Sequence, residues 1–180
     1  EPAVALAKQT LERDPKAPLA AVMLALDAVK RDKPAEARKL LSAMGEDAVG
    51  RIAQPLILAW LTLEEEGLDK AEAAMKPVTA VDGLKPLVEA HLAMMEELSG
   101  KPDAAAKRFA GLIDGDHVTS HMIELYVDLL HRQGRDADAK EVISRFRSQT
   151  NDVSNSMADA LESRLAQPAP KRPLVDTPAK

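Results

Sequence analysis

The chain has 180 residues, a net charge of −5, no cysteine, and only one tryptophan, one tyrosine and two phenylalanines. The lack of cysteine excludes disulfides, thiol nucleophiles and cysteine-ligated metal centres, and the scarcity of aromatic residues disfavours a β-sandwich or barrel. Acidic and basic residues are interspersed, so we do not expect nucleic acid or an anionic membrane surface as a partner. No apolar run is long enough for direct membrane insertion.

Apolar residues recur at three- and four-residue spacings along the chain, which is the helical period. Prolines and glycines separate these segments, as at Pro34 and at Gly100 to Pro102. Pro55 and Pro86 are expected near the starts of their helices. We predict ten helices, at about residues 2–13, 17–30, 34–44, 51–65, 68–78, 84–98, 102–113, 118–133, 136–149 and 153–166. Residues 167–180 are rich in proline and are predicted to be a disordered tail or, alternatively, a tether to a further domain.

The helices follow an internal period of 34 residues. Alanines stand 34 apart, and each is followed four positions later by a large apolar residue. The alanines are Ala37, Ala71, Ala105 and Ala139, and the large residues are Leu41, Met75, Phe109 and Ile143. Thirteen positions before the alanines stand Leu24, Leu58, Leu92 and Tyr126. Such a period is typical of a solenoid, in which each unit is too small to bury its apolar face alone.

The repeat resembles the tetratricopeptide repeat (TPR), a helix-turn-helix whose pattern runs Trp-x2-Leu-Gly-x2-Tyr, then Ala-x3-Phe, then Pro. The leucine and alanine columns match, whereas both aromatic columns are lost. The turn glycine is present as Gly100 and Gly134 and is replaced by Asp32 and Glu66. The resemblance implies one domain over residues 1–166, with a partial first repeat that starts around Ala3, four full repeats and a capping helix. The whole is similar to the amino-terminal arrays of longer bacterial envelope TPR proteins.

The resemblance implies an all-α, right-handed solenoid in which the first helix of each repeat lines a concave groove. The groove would be largely apolar, turning polar in the fourth repeat, and would hold a peptide or helix segment of a partner protein. The implied groove residues are Leu19, Val22, Leu26, Val29, Leu56, Trp60, Leu63, Leu87, Met94, His121, Glu124 and Asp128.

The function that follows is a non-catalytic adaptor or scaffold for protein–protein interaction, and the resemblance points to assembly or maintenance of a bacterial envelope complex. The chain begins with Glu1 in place of methionine, so we expect a processed or shortened form, in the periplasm or otherwise in the cytoplasm. The alternative is a structural section of a longer solenoid or a self-associating spacer. In that case the apolar face, Trp60 included, is covered within the assembly or is ordinary core.

Ligand-like spacing occurs only in the stripe of His117, His121, Glu124, Asp128 and His131. His117 and His121 lie one helical turn apart and form a candidate metal pair, although a solvated groove wall explains the same stripe. No nucleophile with its base and no phosphate-binding loop is present. We therefore expect neither catalysis nor a cofactor.

Overall fold

The computed structural model describes residues 2–45, 47–115, 118–148 and 152–171. In this part of the chain it is all-helical, with no strand, which confirms the predicted all-α fold of about ten helices. The helices are α1 (Pro2–Arg13), α2 (Pro18–Lys30), α3 (Pro34–Ser42), α4 (Ala48–Glu66), α5 (Leu68–Thr79), α6 (Lys85–Leu98), α7 (Pro102–Ile113), α8 (Ser120–Arg132), α9 (Asp136–Ser148) and α10 (Asp152–Leu165). None of them, over the described residues, is both long and apolar enough to cross a membrane.

The chain divides into two compact units, one up to Val88 and one from Glu89 onward, and the boundary falls inside α6. In the first unit α1 packs on α2, α2 on α3 and α4 on α5, and α4 also contacts α2 and α3. In the second unit α7 packs on α8, α8 on α9 and α9 on α10, and α10 also reaches α8. Helices that follow one another in the sequence are therefore neighbours within each unit. The right-handed sense of the predicted solenoid stays a prediction.

The alanine column has the same role in all four repeats. Ala37, Ala71, Ala105 and Ala139 have no exposed surface. The large residues four positions later, Leu41, Met75, Phe109 and Ile143, are also completely or almost completely buried. A methyl side chain lets two helices approach closely, and the large side chain one turn later fills the space beside it. The period in the sequence is therefore a period in packing.

The first helix departs from this pattern. Ala3, which stands 34 residues before Ala37, is exposed, and the buried residue of α1 is Ala7. Ala7 stands 34 residues before Leu41 and therefore occupies the repeat position of the large residues.

Each unit has its own core. In the first unit a cluster around Ala25, Leu41 and Leu61 joins α2, α3 and α4. In the second unit a larger cluster runs from α6 to α10, and in it the rings of Phe109 and Tyr126 stack with their centroids 5.7 Å apart. These two aromatic residues come from different columns of the repeat, so the columns meet in the core.

The turns between the two helices of three repeats share one backbone conformation. Asp32, Gly100 and Gly134 occupy the same repeat position and have positive φ angles of 56°, 75° and 70°. In each case the next amide donates to the carbonyl oxygen five residues earlier, at 2.8–2.9 Å. This pattern ends a helix with a left-handed residue, usually glycine. The second repeat differs, because α4 extends through Glu66 and the left-handed residue is Gly67.

Helix α4 begins three residues before its predicted start. The side chain of Asp47 caps it by accepting a hydrogen bond of 2.8 Å from the amide of Gly50. Pro55 consequently lies inside the helix, and the prediction that it marks the helix start is wrong. Proline removes one internal hydrogen bond of α4, and the cap at Asp47 together with the packing of α4 on α5, α2 and α3 offsets this loss. Pro86 does lie in the first turn of α6, as predicted.

Candidate functional site

Helix α2 is mostly apolar, and its two charged residues are Asp27 and Lys30. Its buried side consists of four alanines and Leu24, which face the core of the first unit. Its other side presents four large apolar residues to solvent, which we name the α2 surface: Leu19, Met23, Leu26 and Val29. They are 70%, 42%, 46% and 40% exposed, respectively. A surface helix normally places polar residues on its outer side, whereas α2 places these four large apolar residues there, so the α2 surface has the composition of a contact surface.

The groove residues predicted in the first unit fall into two groups. Leu19, Leu26 and Val29 belong to the α2 surface. Val22 is half-buried and packs against the core cluster that α2 shares with α4. The remaining ones, Leu56, Trp60 and Leu63 on α4 and Leu87 on α6, are all half-buried. Of the predicted groove residues in this unit, Leu19, Leu26 and Val29 are exposed, and the others are half-buried.

Four large exposed apolar residues of this unit are absent from the predicted groove: Leu6, Met23, Val49 and Val81. Met23 lies on α2 between Leu19 and Leu26, and Leu6 on α1 is 65% exposed. Met23 could have been found from its spacing, since it stands four residues after Leu19 and three before Leu26. No sequence signal marks Leu6, because its repeat position is filled by residues as different as Leu40, Ala74 and Arg108.

In the second unit the predicted polar part of the groove is bonded within the chain. Arg164 of α10 donates to Glu124 at 2.8 Å and to both carboxylate oxygens of Asp128 at 3.0 Å. This arginine is the main cause that lowers the pKa of the Glu124 carboxyl. Met94, the apolar member from α6, is half-buried and packs against the core of this unit. The face of α8 that carries Glu124 and Asp128 is thus engaged by α10.

A second ion pair joins α8 to α6. The guanidinium of Arg132 donates to both carboxylate oxygens of Glu97, at 2.7 and 2.8 Å. Both side chains are largely buried, with 12% and 6% of their surface exposed. Arg108 of α7 similarly bonds Glu96 at 2.7 Å and also contacts Glu89, both on α6. Bidentate geometry and burial make these pairs stronger than ordinary surface pairs.

The histidines of the second unit have different surroundings. His121 is exposed and its Nδ1 lies 3.5 Å from a carboxylate oxygen of Glu124. His91 is half-buried, and burial is the main cause that lowers its pKa, with a smaller contribution from His121. His131 contacts Asp136 and the backbone of Gln167, and the hydrogen bond to Asp136 is the main cause that raises its pKa.

The structure describes only one residue of the candidate metal pair, His121. His117 lies outside the described residues, and His121 is a side chain in solvent beside Glu124. Among the residues that the structure describes, no three histidine, aspartate or glutamate side chains are grouped so that they could hold a metal ion. The described part of the stripe is instead a set of hydrogen bonds and ion pairs between α8 and its neighbours.

Comparison with family models, with curated proteins and with solved structures found no match. The resemblance to TPR proteins therefore rests on the repeat itself: its 34-residue period, its alanine and leucine columns and its turns.

Proposed function

We propose that this chain is a non-catalytic protein-interaction module of the TPR type, whose α2 surface binds an apolar segment of a partner protein. The observation that carries the proposal is the exposure of four large apolar side chains on one face of α2. Isolated exposed apolar residues are common on proteins, but a contiguous set on one helix is typical of a binding surface. A helical partner segment with its own apolar stripe fits such a surface best.

The packing of the repeat supports the TPR part of the proposal. The residues that the TPR pattern requires to be small or large are the ones that the structure buries. In that family the first helix of each repeat faces the bound partner, and α2 is the first helix of its repeat. The family likeness also favours a role in assembly or maintenance of a bacterial envelope complex, with the periplasm as its place of action.

Leu19 and Leu26 are the best residues for testing the α2 surface, because they are its most exposed members. We expect the double variant Leu19→Asp, Leu26→Asp to keep its helicity and its unfolding free energy within about 0.5 kcal/mol, as exposed substitutions usually do. It should lose partner binding. Lys39→Asp, at an exposed position of α3, is the matched control and should bind like the parent chain.

The experiment is affinity capture from the native extract with all three chains, followed by calorimetry with the captured protein in purified form. Binding by the parent and the control but not by the double variant supports the proposal. Equal binding by all three chains contradicts it. Light scattering on the same samples detects the structural alternative, in which the parent self-associates, captures nothing and becomes monomeric with the double variant.

A further inference from the structure

The chain that follows α10 is held to α8 by one histidine. Nδ1 of His131 lies 2.7 Å from Oδ1 of Asp136, and Nε2 lies 2.9 Å from the backbone carbonyl oxygen of Gln167. The histidine side chain is only 9% exposed. Asp136 begins α9, and Gln167 lies just beyond the end of α10, so one ring joins three parts of the second unit.

Both partners of this ring are hydrogen-bond acceptors. A neutral imidazole has one N–H group and can donate to only one of them, whereas an imidazolium donates from both nitrogens. The two contacts can therefore be hydrogen bonds at the same time only when His131 carries its second proton. If the ring is neutral, one nitrogen lone pair faces an acceptor oxygen, which is repulsive.

The charges around the ring favour the protonated form. Asp136 approaches from α9, and Asp128 adds a smaller effect from the preceding turns of α8. Arg164 of α10 opposes this in part, since it is bonded to Asp128. The net result is a raised pKa for His131, with the Asp136 hydrogen bond as the largest cause and the Gln167 carbonyl as the second.

We propose that His131 is a pH-dependent latch, whose doubly protonated ring holds the backbone of Gln167 to α8 and whose deprotonation releases it. The proton that leaves is the one on Nε2, because the carboxylate of Asp136 retains the proton on Nδ1. The bond to Gln167 is then lost and the bond to Asp136 remains. The latch is separate from the α2 surface and does not depend on the proposed function.

The sign of the pH dependence follows from the direction of the shift. Because the folded pKa lies above the ordinary value of about 6.5, the latch is fully closed below that value. It opens as the pH rises through the raised pKa of His131. Acidification closes the latch, and alkalinisation lets the backbone of Gln167 detach.

The test is a nuclear magnetic resonance titration of the full chain from about pH 5 to pH 9, the range in which histidine titrates. We expect the ring nitrogens of His131 to titrate above pH 6.5. The carbonyl carbon of Gln167 and the amide of Ala169 should shift with the same midpoint. His131→Gln should abolish the shift of these two signals, whereas His121→Gln, at the exposed histidine of the same helix, should leave it unchanged.

Three outcomes overturn the latch: a midpoint for His131 at or below its ordinary value, signals of Gln167 and Ala169 that do not titrate, or signals that follow His121. The parent chain alone gives these results, so the test does not depend on a variant that folds. Asp136→Asn provides a second check, because loss of the carboxylate should lower the midpoint of His131 and open the latch at a lower pH.

Discussion

Asp32 has a backbone conformation that usually belongs to glycine. Its φ angle is 56°, and it occupies the repeat position of Gly100 and Gly134. A left-handed conformation costs a residue with a Cβ atom about 1–2 kcal/mol, somewhat less for aspartate. The first repeat therefore closes its turn under strain that the third and fourth repeats do not have.

Replacing this residue should stabilise the protein. We expect Asp32→Gly to raise the free energy of unfolding by about 0.5–1 kcal/mol, the strain relieved less the added flexibility of glycine in the unfolded chain. The reverse change, Gly134→Asp, should lower it by a similar amount, since a Cβ atom at Gly134 meets no neighbour and only the backbone opposes it. Urea unfolding of both variants measures the effect, and equal stabilities would show that Asp32 is unstrained.

Gly50, in the first turn of α4, is required for a different reason. A Cβ atom there would lie 2.0 Å from the backbone carbonyl oxygen of Gly45. We expect Gly50→Ala to cost about 1–3 kcal/mol, because a backbone atom has to move. Gly111 is the control: it is exposed within α7 and has open space, so Gly111→Ala should stabilise the protein by about 0.5–1 kcal/mol. Thermal unfolding of the pair distinguishes the two effects, and a stabilising Gly50→Ala would contradict the close approach.

At the scale of helices, arginine–carboxylate pairs join α8 to α6 and α10 to α8 in the second unit. Arg132 on α8 reaches Glu97 on α6, and Arg164 on α10 reaches Glu124 and Asp128 on α8. The planar guanidinium suits this role because it can donate two parallel hydrogen bonds to one carboxylate. Each pair fixes the position of one helix along its neighbour, because the hydrogen bonds require a specific geometry that apolar contacts do not require.

The pair of Arg132 and Glu97 should matter most, since it is the more buried. We expect Arg132→Met to cost about 3–5 kcal/mol, because the buried carboxylate of Glu97 then loses both hydrogen bonds from the guanidinium. Arg132→Met together with Glu97→Leu should recover much of that loss. Arg145→Met, which breaks the exposed pair with Asp114, should cost less than about 1 kcal/mol. Chemical denaturation of these four chains checks the prediction, and equal costs for the two single arginine variants would refute it.

Across the whole molecule, the sequence predicts the helices and their packing well because both follow from periodic burial. The ten helices end within three residues of their predicted limits, and the alanine column is buried in all four repeats. The start of α4 was less predictable, because Pro55 is a strong local signal and the cap at Asp47 depends on one side-chain hydrogen bond.

The candidate site was predictable only in part. Apolar spacing on α2 identifies Leu19 and Leu26, but spacing cannot tell an exposed leucine from a half-buried one such as Leu63. On α8 the predicted polar face proved to be bonded to Arg164, a residue 36 positions beyond Asp128. Such a contact depends on which helix lies opposite, and a pattern within one helix contains no information about it.

The chain contains four equivalent sites at which the same substitution can be made: the buried alanines Ala37, Ala71, Ala105 and Ala139. All four have the same side chain, the same lack of exposed surface and the same position in a helix pair, while their neighbours differ. One substitution made in turn at each of them compares four environments within a single molecule, under identical solvent and temperature. Any spread among the four results measures how much a local sequence context modifies a common packing geometry.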